Sequence, residues 1–212
     1  MTTTAILIVG IGAIGRQVAQ LITAMGAKRV CLVDPDTVGV ENLAVQGYCP
    51  TDIGIEKVTA ASAALKQINP EIDIITHNRQ YGGDIDPMVG SDVGELAVFC
   101  CVDSIEARKF IWNTLFQSTH TKNMDLWVDG RMAAETLRVF TWKKGTAKKK
   151  YEETLFPASE AFQASCTGRS TLYSSYVVAG LMVGEFVKHL RNQPITGSQT
   201  FNLLASDHSV ND

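Results

Sequence analysis

The stretch ILIVGIGAIGRQVAQLI, residues Ile6–Ile22, changes its hydrophobic period in the middle and thereby decides the fold class. Before Gly10 it is a continuous apolar run of strand length, and after Gly15 its apolar residues recur at helical spacing. Together with Gly12, these glycines form a GxGxxG pattern between a strand and a helix. The pattern predicts a turn whose amides, with Ala13 opening the helix, hold a phosphate at the positive helix end.

Strands and helices alternate along the first half of the chain. The apolar run RVCLVD, residues 29–34, predicts a second strand and completes a βαβ unit. Further on, residues 125–132 and 135–142 look like two strands joined by a short turn, and 200–205 like a closing strand. We therefore expect an α/β fold with a Rossmann-like, doubly wound, mostly parallel sheet and antiparallel strands in the C-terminal part.

The chain length fits one domain. With 212 residues, we expect a single domain over 1–212. Residues 143–165 fit neither the helix nor the strand period, which predicts a long, mobile loop.

Composition narrows the class of function. With 45% hydrophobic residues and a net charge of -3, the chain lacks the basic surplus of a tight nucleic-acid binder. It has neither a signal peptide pattern nor an apolar run long enough to span a membrane, so we expect a cytoplasmic protein. Its five cysteines form no CxxC pairs, which argues against zinc, and Cys100 and Cys101 lie in an apolar strand as core residues would.

Asp34 follows the second strand about where a dinucleotide-binding fold places the carboxylate that binds a ribose hydroxyl. Dehydrogenases and adenylyltransferases share this feature, so the glycine loop and Asp34 leave both NAD and ATP open.

Four motifs in order distinguish between them. They are DPDTVGVENLAVQ at 34–46, DIGIEKV at 52–58, CCVDS at 100–104 and SCTGRSTLYSSYVVAGLMVGEFVKHL at 165–190. Together they resemble the motifs of the family that contains ubiquitin-activating enzymes and the bacterial ThiF/MoeB-type adenylyltransferases. The resemblance covers nearly the whole chain.

This resemblance implies a site and a reaction. Asp34 would bind the ATP ribose, Asn42 and Lys57 the phosphates, and Asp103 a Mg²⁺ ion, while Asp36 and Gln46 would complete the nucleotide site. The reaction would be adenylation of the C-terminal carboxylate of a small ubiquitin-like or sulfur-carrier protein, by a homodimer without zinc.

Two further residues are implied to contact the carrier protein. Cys166 matches a cysteine that forms a covalent acyl bond with the activated carrier in sulfur-transfer members, although it could equally pack the turn. Arg131, in the strand hairpin, could pair with the carrier's tail or with Glu135.

The chain also departs from the family pattern. The motif's arginine is Val45 here, and Arg16 is either its replacement or an ordinary surface residue. Many bacterial members carry a helix before the first strand, and this chain begins at that strand. These departures keep open a catalytically impaired partner subunit that binds a ubiquitin-like protein. An NAD-dependent oxidoreductase is the third hypothesis.

Overall fold

The computed structural model describes residues 4–85, 94–118, 124–156 and 172–211. Its strands are β1 (Ala5–Val9), β2 (Arg29–Val33), β3 (Asp73–His77), β4 (Leu96–Cys100), β5 (Met124–Ala133), β6 (Thr136–Lys143), β7 (Ser198–Asn202) and β8 (Asp207–Asn211). Its helices are α1 (Ala13–Ala24), α2 (Val40–Gln46), α3 (Lys57–Ile68), α4 (Ile105–Gln117), α5 (Lys149–Glu152) and α6 (Leu172–Leu190), with a 3₁₀ turn at Pro50–Asp52.

All eight strands form one sheet in the order β3-β2-β1-β4-β5-β6-β7-β8. The first five strands of this order are parallel, and β6, β7 and β8 are added antiparallel. The predicted fold class is therefore confirmed. Strand order reverses between β1 and β4, and in such sheets a crevice opens at the carboxyl ends of these two strands.

The central strand β1 is buried on both faces, which is why its sequence is apolar without alternation. Ile6 and Ile8 pack in one core with α1, α3 and α6. Ala5, Leu7 and Val9 point to the opposite face, where α4 and α5 cover a second core. The helix after the glycine loop is thus fixed against the sheet by its own apolar stripe.

Three elements differ from the sequence expectations. The motif segment after Asp34 contains the short helix α2, and an additional strand, β8, follows β7. Within the predicted loop over 143–165, α5 is a helix, and its Tyr151 is buried in the second core. Residues 157–165 lie outside the described residues.

Within the described ranges, no helix is long and apolar enough to cross a membrane.

Candidate nucleotide site

The three central strands end at the same level. Val9 is paired with Val33 on one side and with Cys100 on the other. The residues that follow, Gly10 and Asp34 among them, therefore emerge together at one edge of the sheet. This edge holds most of the residues that the sequence assigns to the nucleotide.

Two glycines of the loop are required by close packing. Gly10 has a φ of +90°, and a Cβ built on it would lie 2.8 Å from the carbonyl carbon of Cys101. A Cβ on Gly15 would lie 1.8 Å from the carbonyl oxygen of Gly10. Around Gly12, by contrast, a Cβ would meet no atom of the described residues closer than 3.8 Å. The loop thus lies against the end of β4, and among the described residues it is open at Gly12.

In the described part of the chain, no side chain caps the N-terminus of α1, and its first turn has no acidic residue. The first amides of a helix have no partner within it, and the helix dipole makes that end positive. An anion is therefore the ligand that this helix end favours, and Gly12 and Ala13 are where it would approach.

Asp34 braces the glycine loop from the neighbouring strand. Its Oδ2 accepts a hydrogen bond from the Ile11 amide at 2.6 Å, and its Oδ1 accepts one from the Asp36 amide at 2.8 Å. Burial raises the pKa of this carboxyl, and the two hydrogen bonds offset part of the rise. Each oxygen keeps a lone pair, so a ribose hydroxyl can still donate to it.

Lys57 begins α3 and is almost fully buried, which is unusual for a lysine. Its ammonium pairs with Asp36 Oδ2 at 2.7 Å, and its amide donates to the Asp36 carbonyl oxygen at 2.9 Å. An ammonium has three donors, so Lys57 can keep Asp36 and also bind an anion. Asp36 therefore orients Lys57.

Tyr48 connects Lys57 to the glycine loop, and sequence reasoning missed it. Its hydroxyl donates to the carbonyl oxygen of Ile11 at 2.7 Å and lies 3.4 Å from that of Lys57. Burial raises its pKa, as does the nearby Asp34 carboxylate, so Tyr48 remains a neutral donor. A tyrosine two residues beyond the motif carried no signal of this role.

The two amides of the motif lie at opposite ends of α2. Asn42 Oδ1 accepts a hydrogen bond from the Gly39 amide at 2.8 Å, so its NH₂ group is what remains for a ligand. The Gln46 side chain faces the open side of Gly12, and within the described residues its Oε1 is buried without a hydrogen-bond partner.

Arg16 is a buried residue, not a surface arginine. Only 7% of it is exposed, its guanidinium lies 4.9 Å from the centre of the Tyr48 ring, and its Nε has no hydrogen-bond partner in the described ranges. Val45 is also buried, with 8% exposed. A buried guanidinium without an ion pair is costly unless an anion joins it.

Asp103 lies across the crevice from the glycine loop, just before α4, and its side chain is exposed. In the described part of the chain, no group of three or more His, Cys, Asp or Glu side chains is arranged to hold a metal ion. Mg²⁺ usually binds through one or two carboxylates together with nucleotide phosphates. A single exposed carboxylate fits that kind of site and does not fit a metal site made by the protein alone.

A buried ionic cluster beside this turn was not predicted. Asp129 is fully buried; its Oδ1 accepts from Arg108 Nε at 2.8 Å, and its Oδ2 accepts from Arg131 Nε at 2.9 Å and from the Tyr151 hydroxyl at 3.0 Å. Burial raises the pKa of Asp129, but the two guanidiniums outweigh it and hold this pKa below its usual value. Arg131 also binds Thr154, so its partners are neither Glu135 nor an open site.

The two cysteines at the end of β4 are core residues, as the sequence suggested. Cys100 and Cys101 are buried, and burial raises the pKa of Cys100 to about 12. Such a thiol stays protonated and is not a nucleophile. Cys166 lies outside the described residues.

Comparison with known proteins gives one family. The model of the ThiF family matches residues 1–209. The chain is 34% identical over 119 residues to ubiquitin-like modifier-activating enzyme 5 of Drosophila simulans, covering 50% of this chain and 29% of the relative. For the enzyme of the same name from Caenorhabditis briggsae, the identity is 34% over 110 residues, covering 48% and 26%. The chain thus spans under a third of the length of these relatives.

Solved structures share the fold over nearly the whole chain. PaaA superimposes with a TM-score of 0.72 at 18% identity, covering 98% of this chain and 63% of its own. Escherichia coli MccB with ATP gives a TM-score of 0.69 at 15% identity, covering 98% and 63%. MccB with MccA gives 0.72 at 14%, with the same coverage.

Proposed function

The chain belongs to the ThiF family, and on that premise we propose that it is an adenylyltransferase of the ubiquitin-activating type. Its substrates would be ATP and the C-terminal carboxylate of a small ubiquitin-like or sulfur-carrier protein. The relatives named ubiquitin-like modifier-activating enzyme 5 support the protein substrate, and the MccB structure with ATP supports the nucleotide.

One observation carries the proposal: the buried Lys57, paired with Asp36, lies at the same sheet edge as the uncapped N-terminus of α1. A dinucleotide-binding site needs the glycine loop and the ribose carboxylate, and it has no need of a buried lysine beyond them. A triphosphate carries more charge, and both features favour anions.

The chemistry is positioning and charge neutralisation. An oxygen of the carrier's carboxylate attacks the α-phosphorus of ATP, the bond from this phosphorus to the bridging oxygen breaks, and pyrophosphate leaves with that electron pair. Asp34 holds the ribose, Lys57 and the α1 amides stabilise the charge on the phosphates, and Asn42 and Gln46 donate from α2. A Mg²⁺ ion held by Asp103 would neutralise further charge on the triphosphate.

Arg16 is proposed as the replacement for the arginine that the motif has at Val45. It is buried beside Tyr48, and its Nε has no hydrogen-bond partner in the described ranges, so phosphate would supply the missing partner.

The acyl group of the acyl-adenylate would then pass to Cys166. Its thiolate would attack the acyl carbon, forming a thioester and releasing AMP. We further propose that the chain acts as a homodimer. Gels run with and without a thiol reductant test the transfer: the parent protein should form a covalent adduct with the carrier, and Cys166→Ala should not. Sedimentation tests the dimer.

The main test is ATP–pyrophosphate exchange with candidate carrier proteins that end in Gly-Gly. Lys57→Ala and Asp103→Ala should each abolish most of the exchange, while Lys66→Ala, on the same helix and away from the sheet edge, should retain it. Removing a charged contact to phosphate should weaken ATP binding about 10-fold or more.

Other outcomes would favour the alternatives. ATP binding without exchange, and binding of a ubiquitin-like protein, would indicate a catalytically impaired partner subunit, to which Val45 gives some support. Tight NADH binding with no exchange would refute adenylation and favour an oxidoreductase.

A further inference from the structure

The two oxygens of the buried Asp129 carboxylate bind residues of different elements. Through Oδ1 it binds Arg108, which belongs to α4, and through Oδ2 it binds Arg131 and Tyr151. Its exposed fraction is zero, and these three donors are two guanidiniums and a phenol. A carboxylate of this kind holds its partners in one geometry, because moving them would leave a buried charge unpaired.

Arg108 passes this constraint to the turn that carries Asp103. Its Nη1 donates to the carbonyl oxygen of Ser104 at 3.2 Å, and its Nη2 donates to that of Gly130 at 3.0 Å. Ser104 directly follows Asp103 and caps α4 by accepting a hydrogen bond from the Ala107 amide at 3.1 Å. The planar guanidinium therefore fixes the start of α4 to β5 in a fork that a lysine could not reproduce.

We propose that Asp129 is a positioning residue that acts through Arg108 on Asp103. The increase in ATP affinity that Mg²⁺ produces then depends on the contact between Asp129 and Arg108. The proposal rests on the proposed function, since it assigns Asp103 to the metal-nucleotide. The Asp103 side chain is exposed, so its direction follows from the backbone of the turn that Arg108 fixes through Ser104. Partners that orient a metal ligand are typically worth about 10- to 100-fold in metal affinity.

The contact of Asp129 Oδ1 with Arg108 and the contacts of its Oδ2 can be tested separately by substitution. Arg108→Lys keeps the positive charge and loses the paired hydrogen bonds to Ser104 and Gly130. Tyr151→Phe removes only the hydrogen bond to Asp129 Oδ2. Glu185→Gln is a matched control, because Glu185 is also buried and accepts hydrogen bonds from Lys188, Thr196 and Gln199, away from the crevice.

The experiment measures ATP affinity by calorimetry in Mg²⁺ and in EDTA. For Arg108→Lys we expect the gain from Mg²⁺ to fall about 10-fold, with the affinity in EDTA unchanged. Tyr151→Phe and Glu185→Gln should keep the full gain. A full gain in Arg108→Lys, or an equal loss in Tyr151→Phe, would overturn the proposal.

A second readout needs no metal or nucleotide. Hydrogen exchange of the amides at 104–108 should be faster in Arg108→Lys than in the parent protein, and unchanged in Glu185→Gln. Equal exchange in Arg108→Lys would contradict the positioning role. If the parent protein fails to bind ATP, the proposed function fails, while hydrogen exchange at 104–108 still tests the positioning of the turn.

Discussion

Replacing Gly15 with alanine tests the geometry of the glycine loop most directly. A Cβ at this position would lie 1.8 Å from the Gly10 carbonyl oxygen and 2.9 Å from its carbonyl carbon. Non-bonded atoms settle at roughly 3.5–4 Å, so the loop has to move. Gly10 has little room to retreat, because a Cβ on it would already lie 2.8 Å from Cys101.

The magnitude follows from two opposing terms. Alanine is favoured over glycine inside a helix by about 1 kcal/mol, whereas overpacking of a tight site costs about 1–3 kcal/mol, occasionally more. Because the loop has to move, we take the overpacking cost at the upper end of that range, about 3 kcal/mol. After the helix preference of alanine is subtracted, Gly15→Ala should lower the free energy of unfolding by about 2 kcal/mol. For a chain of this length, the melting temperature should fall by about 4–8 °C.

Gly180 provides the matched control. It lies inside α6 and is exposed, and a Cβ built on it would meet no atom of the described ranges within 4 Å. The same chemical change should therefore stabilise the protein by about 0.5–1 kcal/mol. Urea denaturation followed by circular dichroism measures both variants, and calorimetry measures their ATP affinity. Equal stability of the two variants, with unchanged ATP affinity in Gly15→Ala, would refute the close packing of the loop.

Three further predictions test the buried charges. Glu185→Gln should cost about 1–3 kcal/mol in urea denaturation, because it weakens a buried set of hydrogen bonds between α6 and β7, yet ATP affinity should not change. The pKa of Asp129 is lower in the folded than in the unfolded protein, so the stability that this carboxylate contributes is complete above about pH 4 and is lost as pH falls through the folded-state pKa. Urea denaturation across pH should therefore show a smaller fall in stability below about pH 4 for Asp129→Asn than for the parent protein. Arg16→Gln should weaken ATP binding about 10-fold, whereas Gln at the exposed Arg138 should leave it unchanged in the same calorimetric titration.

The central fold could be predicted because its signals are local. The change of period at Gly10 lies within one stretch of sequence, and the glycines mark the turn directly. The strand β8 escaped prediction because all five of its residues are exposed, so burial imposed no apolar alternation on it. The helix α2 escaped because its seven residues make fewer than two helical turns, which is too short for a hydrophobic period to be recognised.

The site could be predicted only in part, for a related reason. Asp34 and Lys57 stand at fixed places in motifs, and the structure brings their elements to one sheet edge. Tyr48 and Asp129 act through contacts with residues far away in sequence: Tyr48 reaches Ile11 and Asp129 reaches Arg108. A single sequence contains no record of such pairs, so it could not reveal them.

The substitution of arginine by Val45 is compatible with nucleotide binding on physical grounds. What a triphosphate requires is positive charge within reach, and the residue that supplies it can change. Val45 on α2 and Arg16 on α1 are both buried, and the two helices are in contact. On α1 the positive charge lies beside Tyr48, with the guanidinium 4.9 Å from the centre of the tyrosine ring. The decisive comparison is Arg16→Gln against the same substitution combined with Val45→Arg: if the second variant regains ATP affinity, the two arginines serve one function, and if it does not, Arg16 serves the packing of α1.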